Sequence, residues 1–433
     1  MESTESSSKK GSVRRVVLAS FVGTTIEWYD FFLYGTAAAL VFPQIFFPES
    51  EAMAGTMKSF ATYAVGFFAR PIGGVVFGHF GDRIGRKSML VTTLVLMGLA
   101  TFLMGVLPTH AQIGVWAPVL LVFLRFVQGF GVGGEWGGAV LMTVEHGHEG
   151  RRGFYASWVQ AGVPVGLLLA TLVYWGFSSS MSEAAYLSWG WRVPFLLGGL
   201  LLAVGMFIRL QIMESPVFEQ MLAEKKKEEK STPPIIEVIK THPREILLAM
   251  GSRFAENASF YVFTIVSLSF AKMYLHMEDT VLLQGILIAA IAQLIVIPYF
   301  GHLSDKVGRR PVYLGGALAV LIFSWFFFPM LETKETVVIW LAMVLALVAH
   351  SAMYAPQAAF FSEMFGTGVR YTGASLGYQM ASPLAGGLAP LIATWLLAKS
   401  DGDPWPVAGY LTVMCVITLA SVWLAKETHR ESL

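Results

Sequence analysis

The sequence predicts an all-α integral membrane protein of twelve transmembrane helices arranged in two six-helix halves. Three observations predict it. Over 433 residues, 55% are hydrophobic and 14% charged, with a mean hydropathy of +0.61, against roughly a quarter charged in soluble domains. Apolar runs of the ~20 residues needed to cross a bilayer recur twelve times. One long polar interruption, 211–245, divides them six and six. The single cysteine, Cys415, excludes an internal disulfide and a cysteine zinc site.

The first half (16–210) follows a polar, Ser-rich tail (1–15) and holds spans Val16 to Phe42, Ala54 to Phe77, Met89 to Leu107, Trp116 to Val140, Tyr155 to Phe177 and Trp191 to Leu210. The first span is too long, and too acidic within, to be a cleaved signal peptide. The second half (246–425) holds Ile246 to Ala271, Val281 to Phe300, Pro311 to Met330, Val337 to Phe361, Thr372 to Leu397 and Val407 to Leu424, before a short tail (426–433). The runs are long and lack strict alternation, so they read as helices and not barrel strands. Between the halves, the charge run Glu224 to Lys230 and Pro233-Pro234 read as a solvated linker.

Sidedness follows from the basic residues. If the tails are cytoplasmic, that side collects 22 of the 30 Lys and Arg, among them Lys9, Arg15, Arg86, Arg152, Lys226 and Arg310. The opposite side holds only Lys58, Arg192, Lys272, Lys334 and Lys399. The excess predicts both termini inside, in an inner or plasma membrane. Arg70, Arg125 and Arg253 are left within the bilayer.

The halves repeat one plan. Gly78-His-Phe-Gly-Asp82-Arg83-Ile-Gly85-Arg86-Lys87 after span two matches Gly301-His-Leu-Ser-Asp305-Lys306-Val-Gly308-Arg309-Arg310 after span eight without a gap. Glu145, Arg152 and Ser157 match Glu363, Arg370 and Ser375 at a constant offset. This doubled decapeptide resembles the loop motif of the major facilitator superfamily, and the resemblance covers essentially the whole chain. Glu27-Trp-Tyr-Asp30-Phe, Arg70-Pro-Ile-Gly-Gly, Gln128-Gly-Phe-Gly-Val-Gly-Gly-Glu135-Trp, Ser188-Trp-Gly-Trp-Arg192 and Glu214-Ser-Pro-Val-Phe218 resemble the metabolite:proton symporters, a group with permeases for shikimate, alpha-ketoglutarate, citrate and proline or betaine. The osmosensing proline/betaine members carry a long coiled-coil tail, and with about eight residues after Leu424 in this sequence an osmosensing role is not the expectation.

The resemblance implies a major facilitator fold and a monomeric secondary transporter that imports a small organic acid or zwitterion with protons. It implies no cofactor and no nucleic-acid partner. Gly78, Asp82, Arg83, Gly85, Arg86, Asp305 and Arg309 are then a cytoplasmic gate. The two aspartates are suited to cap a neighbouring helix or to pair with arginines.

Charged groups within a bilayer cost about 2.5–3.5 kcal/mol each on the mildest scale, which makes them functional candidates. Glu27 and Asp30 lie one turn apart, with Tyr34 a turn further. With Arg125 and Glu135 they form the expected proton-coupling set, since an arginine facing a carboxylate can shift its proton affinity as a gate opens. A fixed, helix-locking ion pair is the alternative. Arg70, with no acidic neighbour in its span, suits a carboxylate anchor; it could equally serve a kink at Pro71 or pair with Glu27 or Asp30. Tyr34, Trp136, Gln160, Arg253, Asn257, Tyr354, Gln357 and Tyr378 complete the expected substrate pocket between the halves, although aromatic groups also pack helix interfaces. Glu256 can neutralise Arg253 from the next turn.

His146-Gly-His148 beside Glu145 and Glu149 reads as a solvated loop rather than a metal site, and no phosphate-cradling Gly-rich loop with Lys-Ser/Thr is present, which argues against ATP-driven pumping. Alternatives kept open are antiport, uniport, a membrane enzyme, and a sensor that has kept the fold.

Overall fold

In the computed structural model, residues 2–84, 86–146, 150–211, 234–366 and 369–430 are described. All twelve expected spans are helical. The first half comprises α1 (Glu2–Leu40), α2 (Ala52–Ile84), α3 (Arg86–Val106), α4 in two pieces (Trp116–Val132 and Trp136–His146), α5 (Arg152–Ser180) and α6 (Arg192–Gln211). In the second half, α7 runs from Pro243 to Met273, α8 is Asp279–Val307, α9 is Arg309–Glu332 and α10 is Thr336–Glu363. The last two are α11, from Arg370 to Lys399, and α12 (Trp405–Leu424). Among the described residues nine helices are long and apolar enough to cross a membrane, ten if the bent pair Glu183–Gly190 and Arg192–Phe207 is one span; Val91–Val106 is a shorter apolar helix.

Several helices depart from regularity where their sequences allow it. Prolines 71, 164, 298 and 356 sit inside α2, α5, α8 and α10; packed neighbours can satisfy the backbone groups such prolines free. The break in α4 falls at Gly133-Gly134-Glu135. Both α7 and α11 carry a turn of π-helix, at Val262–Val266 and Ser382–Gly387, an irregularity that concentrates at functional positions.

Glycines set the closest helix crossing. A Cβ on Gly129 would collide with the carbonyl oxygen of Gly66, one on Gly73 with that of Phe130, and one on Gly133 with that of Arg70. The backbones of α2 and α4 therefore touch, as small residues permit in lipid. The two halves meet where α5 packs on α8 and α10, and where α2 packs on α11.

Candidate functional site

The polar side chains expected within the bilayer are all buried; Trp136, Gln160, Tyr354 and Tyr378 meet at the seam between the halves, whereas Asp30 lies inside the first half, beside Thr101 of α3 and Gly198 of α6. Asp30 and Arg125 are both fully buried, yet they form no ion pair. Arg125 gives Nη1 to Gln128 Oε1 one turn along its own helix, and its guanidinium lies 4.0, 4.3 and 4.6 Å from the ring centroids of Phe31, Tyr34 and Tyr63. Gln128 Nε2 donates to Thr101 Oγ1 at 2.8 Å, and the Thr101 hydroxyl donates to Met97 O at 3.1 Å. Thr101 stands beside Asp30: a Cβ on Gly198 would lie 2.9 Å from both Asp30 Oδ1 and Thr101 Cγ2. Asp30 is thus kept apart from Arg125, with Gln128 and Thr101 hydrogen-bonded to each other beside it. Tyr34 is committed elsewhere, its hydroxyl 2.6 Å from Thr62 Oγ1.

Arg70 is 1% exposed. Its guanidinium is surrounded by the faces of Phe31, Phe67 and Trp28 at 4.2, 4.8 and 5.2 Å, and its Nε and Nη2 have no hydrogen-bond partner. Aromatic faces stabilise a cation but leave its in-plane donors unspent. Glu27 and Glu135 are buried beside the same seam, 5% and 3% exposed.

In the second half, Arg253 is matched. Its Nε lies 3.3 Å from Glu256 Oε2, its Nη1 donates to Tyr378 O and to Ser382 Oγ at 2.6 Å each, and its guanidinium covers the Tyr378 ring at 3.2 Å. Glu256 also accepts from Gln357 Nε2 at 3.2 Å and stands 3.4 Å from His350 Nε2. Gln357 donates in addition to Tyr313 Oη at 2.8 Å. The expected self-neutralising Arg253–Glu256 pair is therefore present, inside a wider network. Asn257 is buried with Nδ2 unpartnered, and the hydroxyls of Tyr354 and Tyr378 are likewise unspent.

Several contacts cross between the halves. Trp136 and Tyr378 stack at 3.8 Å. Within the first half Trp136 Nε1 donates to Gln160 Oε1 at 3.2 Å, and Gln160 Nε2 then crosses to donate to Tyr354 O at 3.2 Å. Gln379 Nε2 reaches Gly133 O at 3.1 Å.

A second cross-half cluster lies at the end carrying the basic loops. Asp305 accepts from the backbone N–H of Gly153 at 2.8 Å and of Phe154 at 2.9 Å, and so caps the N-terminus of α5 in the other half. It also binds Arg309 Nη1 at 2.7 Å, while Arg309 Nη2 binds Glu363 Oε1 at 3.0 Å. Both functions expected of this aspartate, capping and pairing, are performed at once. Of the matching first-half loop, Gly78, Asp82 and Arg83 fall on the last turns of α2 and Arg86 opens α3. Gly85 and the side chains of Asp82, Arg83 and Arg86 lie outside the described residues, as do the side chains of Glu145 and His146 and all of Gly147, His148 and Glu149 of the loop discussed above.

The comparisons with known proteins agree with this architecture. The family model described as Major Facilitator Superfamily matches residues 20–390 and, in a second match, 258–433. The chain belongs to the major facilitator superfamily. Among its relatives, the shikimate transporter of Escherichia coli (strain K12) is 42% identical over 96% of this chain and 95% of its own length. The inner membrane metabolite transport protein YhjE of the same organism is 39% identical over 98% and 96%. The crystal structure of a D-xylose–proton symporter shares the fold, with a TM-score of 0.75 at 19% identity over 97% of this chain and all of that one. These relatives and neighbours are transporters, not enzymes, and the chain is a multi-pass membrane protein.

Some participants were not expected from sequence. Thr101, Tyr63 and Tyr261 carry no charge and look like ordinary residues of apolar spans. Tyr261 packs on Tyr63 and Phe67 at 5.9 and 5.2 Å. Gln128 was visible only as part of a motif. Glu427 and Thr428, in the short tail, bond to the Arg309 cluster and had no signal at all.

Proposed function

We propose that the protein imports a small organic acid or zwitterionic metabolite together with protons by alternating access, as a single chain in the inner or plasma membrane, with both termini and the basic loops on the cytoplasmic side. One observation carries this reading: shut away from water, Arg70 keeps two idle donors while the equally buried Asp30 carboxylate forms no ion pair with Arg125. Buried polar groups left unspent are costly, and are retained where a transient partner supplies the missing bonds. Arg70 is the anchor for the solute's carboxylate, its aromatic surround receiving the solute's carbon body. Asp30 carries the proton in this closed state and releases it when an opening seam brings water and Arg125 to it, with Glu27 a second candidate carrier and Glu135 in support. Asn257, Tyr354, Gln357, Tyr378 and the matched Arg253 line the second-half wall. The similarity to a shikimate transporter supports an organic acid as the solute, and the fold shared with a xylose–proton symporter accords with coupling to protons.

The test separates coupling from binding. In proteoliposomes, Asp30→Asn and Arg125→Gln are expected to lose pH-gradient-driven accumulation of an organic acid while keeping counterflow exchange, which needs no net proton movement. Full accumulation in both variants overturns the coupling assignment, and the absence of any uptake across a panel of organic acids and betaines favours a sensor.

A further inference from the structure

The segment after α12 is tied into the cross-half cluster at the basic end. Glu427 presents both carboxylate oxygens to the first turn of α9, Oε1 to the N–H of Arg309 and Oε2 to that of Arg310, at 2.9 Å each. The fit depends on the α8–α9 turn: Gly308 has φ +106°, and a Cβ there would lie 2.7 Å from Glu427 Oε2. Next along, Thr428 is 2% exposed and donates its hydroxyl to Glu363 Oε2 at 2.7 Å. Glu363 in turn holds Arg309 through Nε and Nη2 at 3.2 and 3.0 Å, and Arg309 holds Asp305, which caps α5 of the other half. Arg310 fastens the end of α12 itself, donating to Val422 O at 3.0 Å and Trp423 O at 2.6 Å.

We infer that Glu427 and Thr428 are positioning residues of the gate: they fix Arg309 and Glu363 so that Asp305 can bolt the second half to α5, and they thereby favour the state closed at the basic end. Neither residue touches Arg70 or Asp30. Both act through others, Glu427 by seating the N-terminus of α9 and Thr428 by filling an acceptor site on Glu363. An acceptor on a buried carboxylate left without its donor weakens the grip on Arg309. Opening the basic end breaks the Asp305 cap, so a loosened Arg309 shifts the balance toward opening there.

This inference rests on the alternating-access part of the function proposed above, and the experiment does not use solute. Two reporter cysteines are placed singly in the chain, whose own Cys415 is buried and whose unsubstituted form gives the background. Ser157→Cys lies at the basic end, fully buried beneath Gly301. Thr56→Cys lies at the opposite end, where α2 meets Met273 of α7. Maleimide labelling rates of each are measured with and without Thr428→Val. A hydrogen bond to a charged group is worth about 1.5 kcal/mol, a shift of roughly tenfold in an equilibrium. The expected result is a rise of about that size at Ser157→Cys, a fall at Thr56→Cys, and wild-type rates in the conservative Thr428→Ser. A purely structural weakening raises both rates together, and that result, or unchanged rates, overturns the inference. If Thr428→Val does not accumulate in the membrane, Glu427→Gln replaces it with the same expected and overturning outcomes. Unchanged or parallel rates overturn the role of Thr428 and Glu427 and leave alternating access standing; a wrong solute or coupling ion leaves the labelling result intact.

Discussion

Trp136 and Tyr378, from opposite halves, stack face to face with ring centroids 3.8 Å apart and planes 13° from parallel. Arg253 lies against the other face of Tyr378 at 3.2 Å, so the three groups form one column across the seam. Because the two rings belong to opposite halves, a parting of the halves at the basic end is expected to separate them. Paired aromatic rings contribute about 0.5–1.5 kcal/mol beyond the area they bury. A double-mutant cycle of Trp136→Leu and Tyr378→Leu, read as the labelling rate of Ser157→Cys, should return a coupling energy in that range. Additivity within about 0.3 kcal/mol would show that the rings are neighbours with no mutual grip.

Arg70→Lys tests the anchor. Lysine keeps the charge and loses the planar fork that meets a carboxylate with two parallel bonds. Because Nε and Nη2 are the unspent atoms, the loss should fall on solute binding. The expected outcome is an apparent affinity for the transported acid weaker by about tenfold, the equivalent of one charge-assisted hydrogen bond of roughly 1.4 kcal/mol, with thermal stability near that of the parent. Unchanged affinity measured by counterflow removes Arg70 from the solute site.

Gly129→Ala tests the backbone contact on which Arg125 depends. The added methyl would strike Gly66 O, and Gly66 itself packs against the Arg125 guanidinium, where a Cβ would stand 2.5 Å from Nε. Overpacking a close crossing costs about 1–3 kcal/mol. A drop in melting temperature in detergent together with lost accumulation is expected. Gly409→Ala, where a Cβ meets open space, should leave both unchanged.

The helices were legible because length and hydropathy alone define a membrane span, and the doubled decapeptide made the two halves legible without any knowledge of packing. The list of buried charges was legible for the same reason: an ion in an apolar run declares itself. Their pairing was not. Glu27 and Asp30 share a face of α1, but whether Asp30 meets Arg125 depends on the rotation of α4 about its axis, which the Gly66–Gly129 contact sets and no pattern within either span encodes. The result is that Arg125 spends itself on Gln128 and forms no ion pair with Asp30. The π-turns of α7 and α11 were invisible because a shifted backbone hydrogen bond leaves composition unchanged. Thr428 and Glu427 looked like surplus polar residues, since their partners lie 65 and 118 positions away.

Glu427 also predicts a pH dependence outside the membrane. Partial burial pushes its carboxyl upward, but backbone N–H donors from Arg309, Arg310, His429 and Thr428 outweigh that and hold it below its ordinary value of 4.5. A carboxyl whose folded value is depressed contributes stability that is fully present above its unfolded value and is lost as pH falls through the folded one. The contribution should therefore be constant from neutral pH down to about 4.5 and decline only below it. Glu427→Gln removes the charge at every pH. The difference in melting temperature between parent and variant, measured in detergent, is expected to hold steady from pH 7 to 5 and to shrink toward pH 3.5, whereas a difference that stays constant to the most acid sample would show that the α9 cap owes nothing to the ionised form.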